Sequence, residues 1–173
     1  MATKLAFLSD DHQFAIANVA VRSGQMETHI EHAIRACLWT HQKTAEFALK
    51  NLGADRIVGV LEAALLDLFP GDASTIENMI AEIKRIRGER NEIIHWIWGK
   101  GADEEVAVHV SYRPFREQQS KTKTAYQIQH IADQMLGVSK ALVWWQNQLF
   151  ANARQSSGAE AKPSTPTRDD PPP

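Results

Sequence analysis

Arg90, Asn91 and His95 bring together side chains that could act on a phosphodiester. An imidazole titrates near neutral pH and can take or give a proton, whereas a guanidinium keeps its charge and pairs with phosphate oxygens. Metal-independent cleavage of RNA needs both functions, because a proton must move at the 2′-hydroxyl or the leaving oxygen and the charged phosphorane must be stabilised. These residue types therefore fit that chemistry.

The segment that carries these residues has apolar side chains at helical spacing. At about 100° per residue they share one arc, which predicts an amphipathic helix. The arc contains Ile76, Met79, Ile80, Ile83, Ile86, Ile93, Ile94, Ile97 and Trp98. Arg90 projects near the middle of the arc and Arg87 lies inside it, while Asn91 is at one edge and His95 just beyond. Because a buried arginine cannot lose its charge, it needs a partner or a wet pocket.

Two interpretations of these arginines stay open at this point. Arg87 and Arg90 could be scaffold residues paired with carboxylates such as Glu62 or Asp67 on the preceding helix, with His95 packing near the helix end. Alternatively, the helix positions them for a ligand.

The spacing within the segment indicates half of a site. Arg90 and His95 are about 140° apart on a helix, so they cannot both point at one phosphate. Two copies about a two-fold axis could bring two Arg/His sets together. Asn91 lies four residues before His95 and shares its face, so it could orient the imidazole or contact the substrate. Gly88, beside His95 on the wheel, could let a partner helix approach, at a helix-stability cost of about 1 kcal/mol.

The RNEIIH sequence from Arg90 to His95 resembles the signature of the HEPN superfamily (higher eukaryotes and prokaryotes nucleotide-binding). In that signature an Arg, often followed by a polar residue such as Asn, precedes a His late in one helix of an α-helical bundle. Arg87 before the motif and Trp98 with Gly99 after it also look like many uncharacterised bacterial HEPN-like proteins.

The resemblance implies a homodimer in which two motifs face each other and act as an endoribonuclease of a toxin–antitoxin or defence system. Arg90 and His95 would then be the catalytic pair, with Asn91 as the polar accessory. The partners implied are RNA, a second copy and an antitoxin or other partner protein. The alternative is a non-catalytic module that binds RNA, a nucleotide or a protein, because many HEPN-like domains are thought to have lost catalysis.

A local basic run, KRIRGER, precedes the motif, and Lys84, Arg85 and Arg87 in it could bind substrate phosphates. The chain as a whole is not basic, since its formal net charge is -2 and its pI about 6.4. Wholesale electrostatic binding of nucleic acid is therefore not indicated, and any RNA contact must be local.

Composition excludes several other classes of site. Cys37 is the single cysteine, which rules out an intramolecular disulfide and a cysteine-based zinc site. His29 and His32 lie three apart beside Glu27 and Glu31, but no second ligand cluster stands out, so a solvated helix face is the preferred interpretation. We predict no metal, no cofactor, no membrane span and a cytoplasmic location.

The fold class predicted is all-α, an up-and-down bundle of four or five helices with a short β-hairpin before the last helix and a disordered C-terminal tail. Helices are predicted over residues 9–38, from 44 to a break near Gly53, over 55–69, from 74 to about 99, and from 124 onward. The alternating sequence from 104 to 115, interrupted by Pro114, predicts the hairpin. Residues 1–154 would form the HEPN-like domain and residues 155–173 the tail.

The sequence also predicts the N-terminal caps of four helices and the apolar faces of the first and last helices. The predicted caps are Ser9 or Asp10, Asp55, and the capping boxes Ser74/Glu77 and Thr124/Gln127. In the first helix, the predicted apolar residues are Phe14, Ala17, Val21, Met26, Ile30, Ala33, Cys37 and Trp39. In the last helix, they are Ile128, Ile131, Met135, Val138, Leu142, Trp145 and Leu149. Trp144 lies off that last face and could cover a neighbouring helix or a partner chain.

Overall fold

The computed structural model describes residues 8–95, 97–100, 106–110 and 120–159. Five helices and three strands follow one another in the order α1 (Asp10–Cys37), α2 (Gln42–Asn51), α3 (Ala54–Leu68), α4 (Ala73–His95), β1 (Ile97–Lys100), β2 (Val106–Val110), β3 (Ser120–Thr124) and α5 (Ala125–Ala159). Short 3-10 turns, Trp39–His41 and Pro70–Asp72, precede α2 and α4. The all-α bundle predicted from the sequence is confirmed.

The directions of α1, α4 and α5 agree with an up-and-down bundle. Contacts of α1 with α5 advance together along both chains, from Asn18 with Gln129 to Trp39 with Phe150, so these two helices run parallel. By contrast, Lys123 just before α5 contacts Glu89, while Gln134 further along contacts Arg85, so α4 runs antiparallel to α5. The most extensive helix contact is that between α1 and α5.

The core lies where α1, α3, α4 and α5 meet. Its largest fully buried side chains are Met26, Ile30, Ile34, Leu61, Leu65, Ile76, Ile80, Ile83, Ile86, Ile93, Ile128 and Met135. Most of the residues on the predicted apolar arc of α4 are among them, which confirms that this face packs inward. The predicted face of α5 is also confirmed, since Leu142 and Trp145 are buried as well.

The predicted face of α1 is correct in its second half and wrong in its first. Met26, Ile30 and Ala33 are buried as predicted. In the first half, Phe14 and Val21 are 69% and 59% exposed and Ala17 is exposed too, whereas His12, Ala15 and Val19 are buried. Trp39, the last residue predicted for this face, lies in the 3-10 turn after α1 and is exposed.

Helix α4 ends at His95, four residues before the predicted end near Gly99. Ile97–Lys100 instead forms β1, which pairs antiparallel with β2 from Ile97 opposite Val110 to Lys100 opposite Ala107. The predicted end was wrong because backbone groups that would continue the helix are used in this ladder. The side chain of Trp98 donates from Nε1 to the carbonyl of Ile93 at 2.7 Å, which satisfies one of the carbonyls left open at the helix end.

The predicted hairpin is part of a three-stranded antiparallel sheet in the order β1-β2-β3. Val106–Val110 lies in the alternating sequence, as predicted, but β1 comes from the predicted helix and β3 was not predicted. Pro114 lies outside the described residues. Helix α5 continues to Ala159, five residues beyond the predicted domain boundary at 154, and residues 160–173 also lie outside the described part of the chain.

The predicted caps are confirmed at two helices and corrected at two. Ser9 caps α1, accepting from the backbone N–H of His12. Gly53, not Asp55, is the N-cap of α3, and Asp55 lies in its first turn. The box Ser74/Glu77 was wrong, because α4 begins at Ala73 directly after a 3-10 turn.

The capping box at the start of α5 is present in full. Thr124 Oγ1 accepts from the N–H of Gln127 at 3.1 Å, and Gln127 Oε1 accepts from the N–H of Thr124 at 2.9 Å. We expect Thr124→Ala to lower the free energy of unfolding by about 1 kcal/mol, since the orphan donor loses its acceptor. Thermal melting followed by circular dichroism measures this as a fall of about 2–4 °C in Tm.

Thr28→Ala is the matched control for the Thr124 variant. The hydroxyl of Thr28 only donates to the carbonyl of Gly24 within α1 and caps nothing. Its removal should leave Tm unchanged or slightly raised, because such back-bonding adds little to a helix. Equal Tm values for the two variants would contradict the capping assignment.

Candidate active site at the end of helix α4

Arg90 and Asn91 are joined by a hydrogen bond in which Arg90 Nη1 donates to Asn91 Oδ1 at 2.9 Å. Arg90 is partly buried, as its place on the apolar arc predicts, and Asn91 is exposed. Arg90 Nε is itself buried and finds no acceptor among the residues that the structure describes. Because this Nε is buried, an anion from solvent would pair with the terminal nitrogens of the guanidinium.

His95 is the last residue of α4 and is exposed. Asn91 is one turn earlier on the same face and is exposed as well, so the two side chains open to the same solvent space. Beyond Arg87, this end of α4 extends past the N-terminus of α3, since Arg87 contacts the carbonyl of Ala54, the first residue of α3. Among the described residues, the last turns of α4, which carry the motif, are therefore not covered by α3.

Arg87 is part of the scaffold. Its Nε and Nη2 donate to the two carboxylate oxygens of Glu27 at 3.0 and 3.1 Å, and its Nη1 donates to the carbonyl of Ala54 at 2.6 Å. The arginine is buried, so it ties α4 to α1 and to the start of α3. The paired-arginine interpretation holds for Arg87, but the partner is Glu27 of α1 and not Glu62 or Asp67.

Lys84 and Arg85, predicted to bind substrate, also have carboxylate partners. Lys84 Nζ is 3.0 Å from Glu62 Oε2. Arg85 donates to Glu82 at 2.6 Å and also bonds Glu89. These pairs lie at the surface and contribute about 0–1 kcal/mol each, so a phosphate can compete for either cation. The buried pair of Arg87 is not available in this way.

The Arg85 network shifts two pKa values in the direction expected for ion pairs. The hydrogen bond from Arg85, reinforced by its charge, holds the pKa of Glu82 below its usual value, although partial burial opposes the shift. The same bond raises the pKa of Arg85. A carboxyl whose folded-state pKa is lowered stabilises the fold above its unfolded pKa, and this contribution is lost as the pH falls through the folded value.

Other reactive groups do not form a site of their own. Burial raises the pKa of the Cys37 thiol to about 11, so it is not a thiolate nucleophile at neutral pH. His29 and His32 pack edge to face with ring centroids 6.4 Å apart. Within the described ranges, no group of three or more His, Cys, Asp or Glu side chains is arranged to hold a metal ion. No described helix combines the length and apolar character that a membrane span requires.

The structure therefore keeps the predicted motif together and divides the predicted basic run. Arg90 and Asn91 are bonded and His95 lies on the Asn91 face, whereas Arg87 turns inward and Arg85 points toward α5, donating to Gln134 at 2.8 Å. Sequence reasoning missed the role of Glu27, which is far away in the chain and gives no local signal for the pairing.

Comparisons with known proteins identify no family for this chain. The scan against family models gives no match, and neither curated proteins nor solved structures match this chain. The HEPN relationship thus stays a prediction from the motif.

Proposed function

We propose that this protein is a metal-independent endoribonuclease of the HEPN type that acts as a homodimer. The observation that carries the proposal is the bonded Arg90–Asn91 pair in the last turns of α4, where Asn91 and His95 are both exposed. In contrast to Lys84, Arg85 and Arg87, Arg90 forms no ion pair with a carboxylate among the described residues. Its charge is left for a ligand.

The reaction that these groups support is attack of a ribose 2′-hydroxyl on the adjacent phosphorus. One imidazole takes the proton of the 2′-hydroxyl and a second gives a proton to the departing 5′-oxygen, so the products are a 2′,3′-cyclic phosphate and a 5′-hydroxyl. Arg90 stabilises the negative charge that collects on the phosphorane oxygens. Because each chain contributes one His95, a two-fold pair supplies both imidazoles.

Incubation of labelled total RNA and tRNA with the protein in EDTA tests this proposal. We expect cleavage to continue in the chelator and to leave cyclic phosphate ends. RNA carrying 2′-O-methyl groups should not be cut, since the attacking hydroxyl is blocked. A folded dimer that cleaves none of these RNAs would overturn the proposal and favour the alternative, a module that binds RNA or a protein partner without turnover.

One observation favours this alternative. Three residues predicted to bind phosphate, Lys84, Arg85 and Arg87, already pair with carboxylates. An RNA-binding measurement separates the two functions. Binding without cleavage supports the module, and cleavage supports the enzyme. The proposed antitoxin or other partner protein would act by covering the exposed side chains of Asn91 and His95.

Gly88 provides a test of the homodimer. It is exposed on α4, and a Cβ built there meets no atom within 4 Å. We expect Gly88→Ala to raise the free energy of unfolding of the isolated chain by about 0.5–1 kcal/mol, because alanine loses less backbone entropy in a helix. If a partner helix packs against this face, the added methyl should also weaken the dimer.

Sedimentation at several protein concentrations, beside thermal melting, measures the two effects of Gly88→Ala separately. Gly24→Ala is the matched control, since Gly24 is an exposed helical glycine of α1 with the same open surroundings. A Gly88 variant that is stabilised but dimerises as well as the wild type would contradict close packing on this face.

A further inference from the structure

A cleft lies between α4, β3 and the first turns of α5, on a different flank of α4 from His95. Its volume is about 260 Å³. The side chains that line it include Arg85, Glu89, Lys123, Tyr126, His130 and Gln134. This α4–α5 cleft is slightly smaller than pockets for drug-sized ligands, which are about 300–1,000 Å³.

Tyr126 is the most unusual residue of the cleft. It is 80% exposed, although a tyrosine ring on a helix would ordinarily be at least half covered. Its ring is nearly parallel to that of His130, with an interplanar angle of 9° and centroids 6.4 Å apart. The two rings lie in separate parallel planes, so the aromatic surface open to a nucleobase of any sequence is the exposed ring of Tyr126.

The charges beside this surface are held in ion pairs. Arg85 pairs with both Glu82 and Glu89, and Lys123 Nζ lies 3.6 Å from Glu89 Oε2. Two cations are therefore balanced by two carboxylates. Lys123 has the longest of these contacts, so its charge is the one that a phosphate can most readily take.

The remaining polar groups suit the edge of a base. Glu89 can accept from an exocyclic amino group, and the side-chain amide of Gln134 can both donate and accept. Gln134 is held in place by Arg85 and by a contact of 3.2 Å with His130. The cleft thus combines a stacking surface, cations and hydrogen-bonding groups for a base.

We propose that the α4–α5 cleft binds one nucleotide of a single-stranded RNA, with the base stacked on Tyr126 and the phosphate paired with Lys123. The inference rests on the proposed ribonuclease function and names a substrate contact outside the motif. Glu89 is about 9 Å along the helix axis from His95 and about 120° around it.

Binding of a fluorescein-labelled ten-nucleotide single-stranded RNA to the His95→Ala protein, which cannot cut it, tests the cleft. Adding Tyr126→Ala should raise Kd roughly tenfold, the usual effect of losing one base–aromatic stack. Tyr126→Phe should bind as tightly as the His95→Ala parent, because the ring is retained. Lys123→Gln should weaken binding and reduce the salt dependence of Kd by about one phosphate contact.

Phe14→Ala is the matched control, since Phe14 is also an exposed aromatic residue, 69% exposed against 80% for Tyr126, and lies on α1 outside the cleft. Its removal should not change Kd. A folded Tyr126→Ala protein with unchanged Kd would overturn the cleft assignment, and RNA cleavage by the single Tyr126→Ala variant in EDTA would then show that the ribonuclease proposal still stands. A His95→Ala parent that binds no RNA would also overturn the cleft, while cleavage by the wild type would decide the enzyme separately.

Discussion

His95→Ala should lower the rate of RNA cleavage by about 10²–10⁴-fold, the usual contribution of a positioned proton-transfer group. His95 is exposed at the last turn of α4 and, within the described chain, contributes no side chain to the core, so the variant should keep its circular dichroism spectrum and Tm. Single-turnover cleavage of tRNA in EDTA at saturating protein measures the effect without a contribution from binding.

Arg90→Ala should reduce cleavage by about 10²–10³-fold, the range found when a donor to a developing oxyanion is removed. Arg90→Lys should restore little of this activity, because a point charge does not replace a guanidinium fork. His41→Ala is the matched control for His95, since His41 is an exposed histidine in the turn before α2, and it should cleave as the wild type does. If the His95 and His41 variants cleave RNA at the same rate, His95 is not a catalytic residue.

Arg87→Ala should destabilise the fold by about 1–2 kcal/mol, because it removes a charge-assisted bond to the Ala54 carbonyl, whereas the Glu27 carboxylate that it leaves is 38% exposed and can be solvated. The expected fall in Tm is about 2–8 °C for a chain of this size. Glu27→Gln should have a similar effect, since it leaves the buried charge of Arg87 with only a neutral acceptor. Urea denaturation of both single variants and the double variant gives the coupling energy directly.

Arg85→Ala is the control for the Arg87 variant, because Arg85 belongs to an exposed network on the same helix and should change the stability by less than about 1 kcal/mol. If the Arg87→Ala protein has an unchanged Tm and binds RNA more weakly, Arg87 is a substrate-binding residue, as the sequence predicted.

The parts of the fold predicted correctly depend on signals within a single helix. The box Thr124/Gln127 and the seven-position apolar pattern of α5 need no knowledge of the rest of the chain. The buried face in the first half of α1 was predicted incorrectly because several neighbouring arcs of the helix are apolar. Only contact with α5 decides that Ala15 and not Phe14 is buried. The end of α4 was placed too late because strand pairing between β1 and β2 is a non-local contact.

The candidate site was predictable in its residue types and only partly in its connections. Arg90, Asn91 and His95 could be selected because a permanent charge interrupts an apolar arc. Arg87 interrupts the same arc, yet its carboxylate lies on α1, and helical periodicity carries no information about partners on other helices. The aromatic surface at Tyr126 was also missed, because an exposed tyrosine in the first turn of a helix has no distinguishing pattern.

The parallel arrangement of α1 and α5 determines when the bundle can fold. Val19, Met26 and Ile30 of α1 are completely buried, and the most extensive cover of this helix comes from α5, the last helix of the described chain. During synthesis on the ribosome, the apolar face of α1 must therefore wait for more than a hundred further residues before its principal partner exists. Contacts so far apart in sequence raise the contact order above that of a simple antiparallel helix pair, which slows folding and makes the nascent chain a natural client for chaperones.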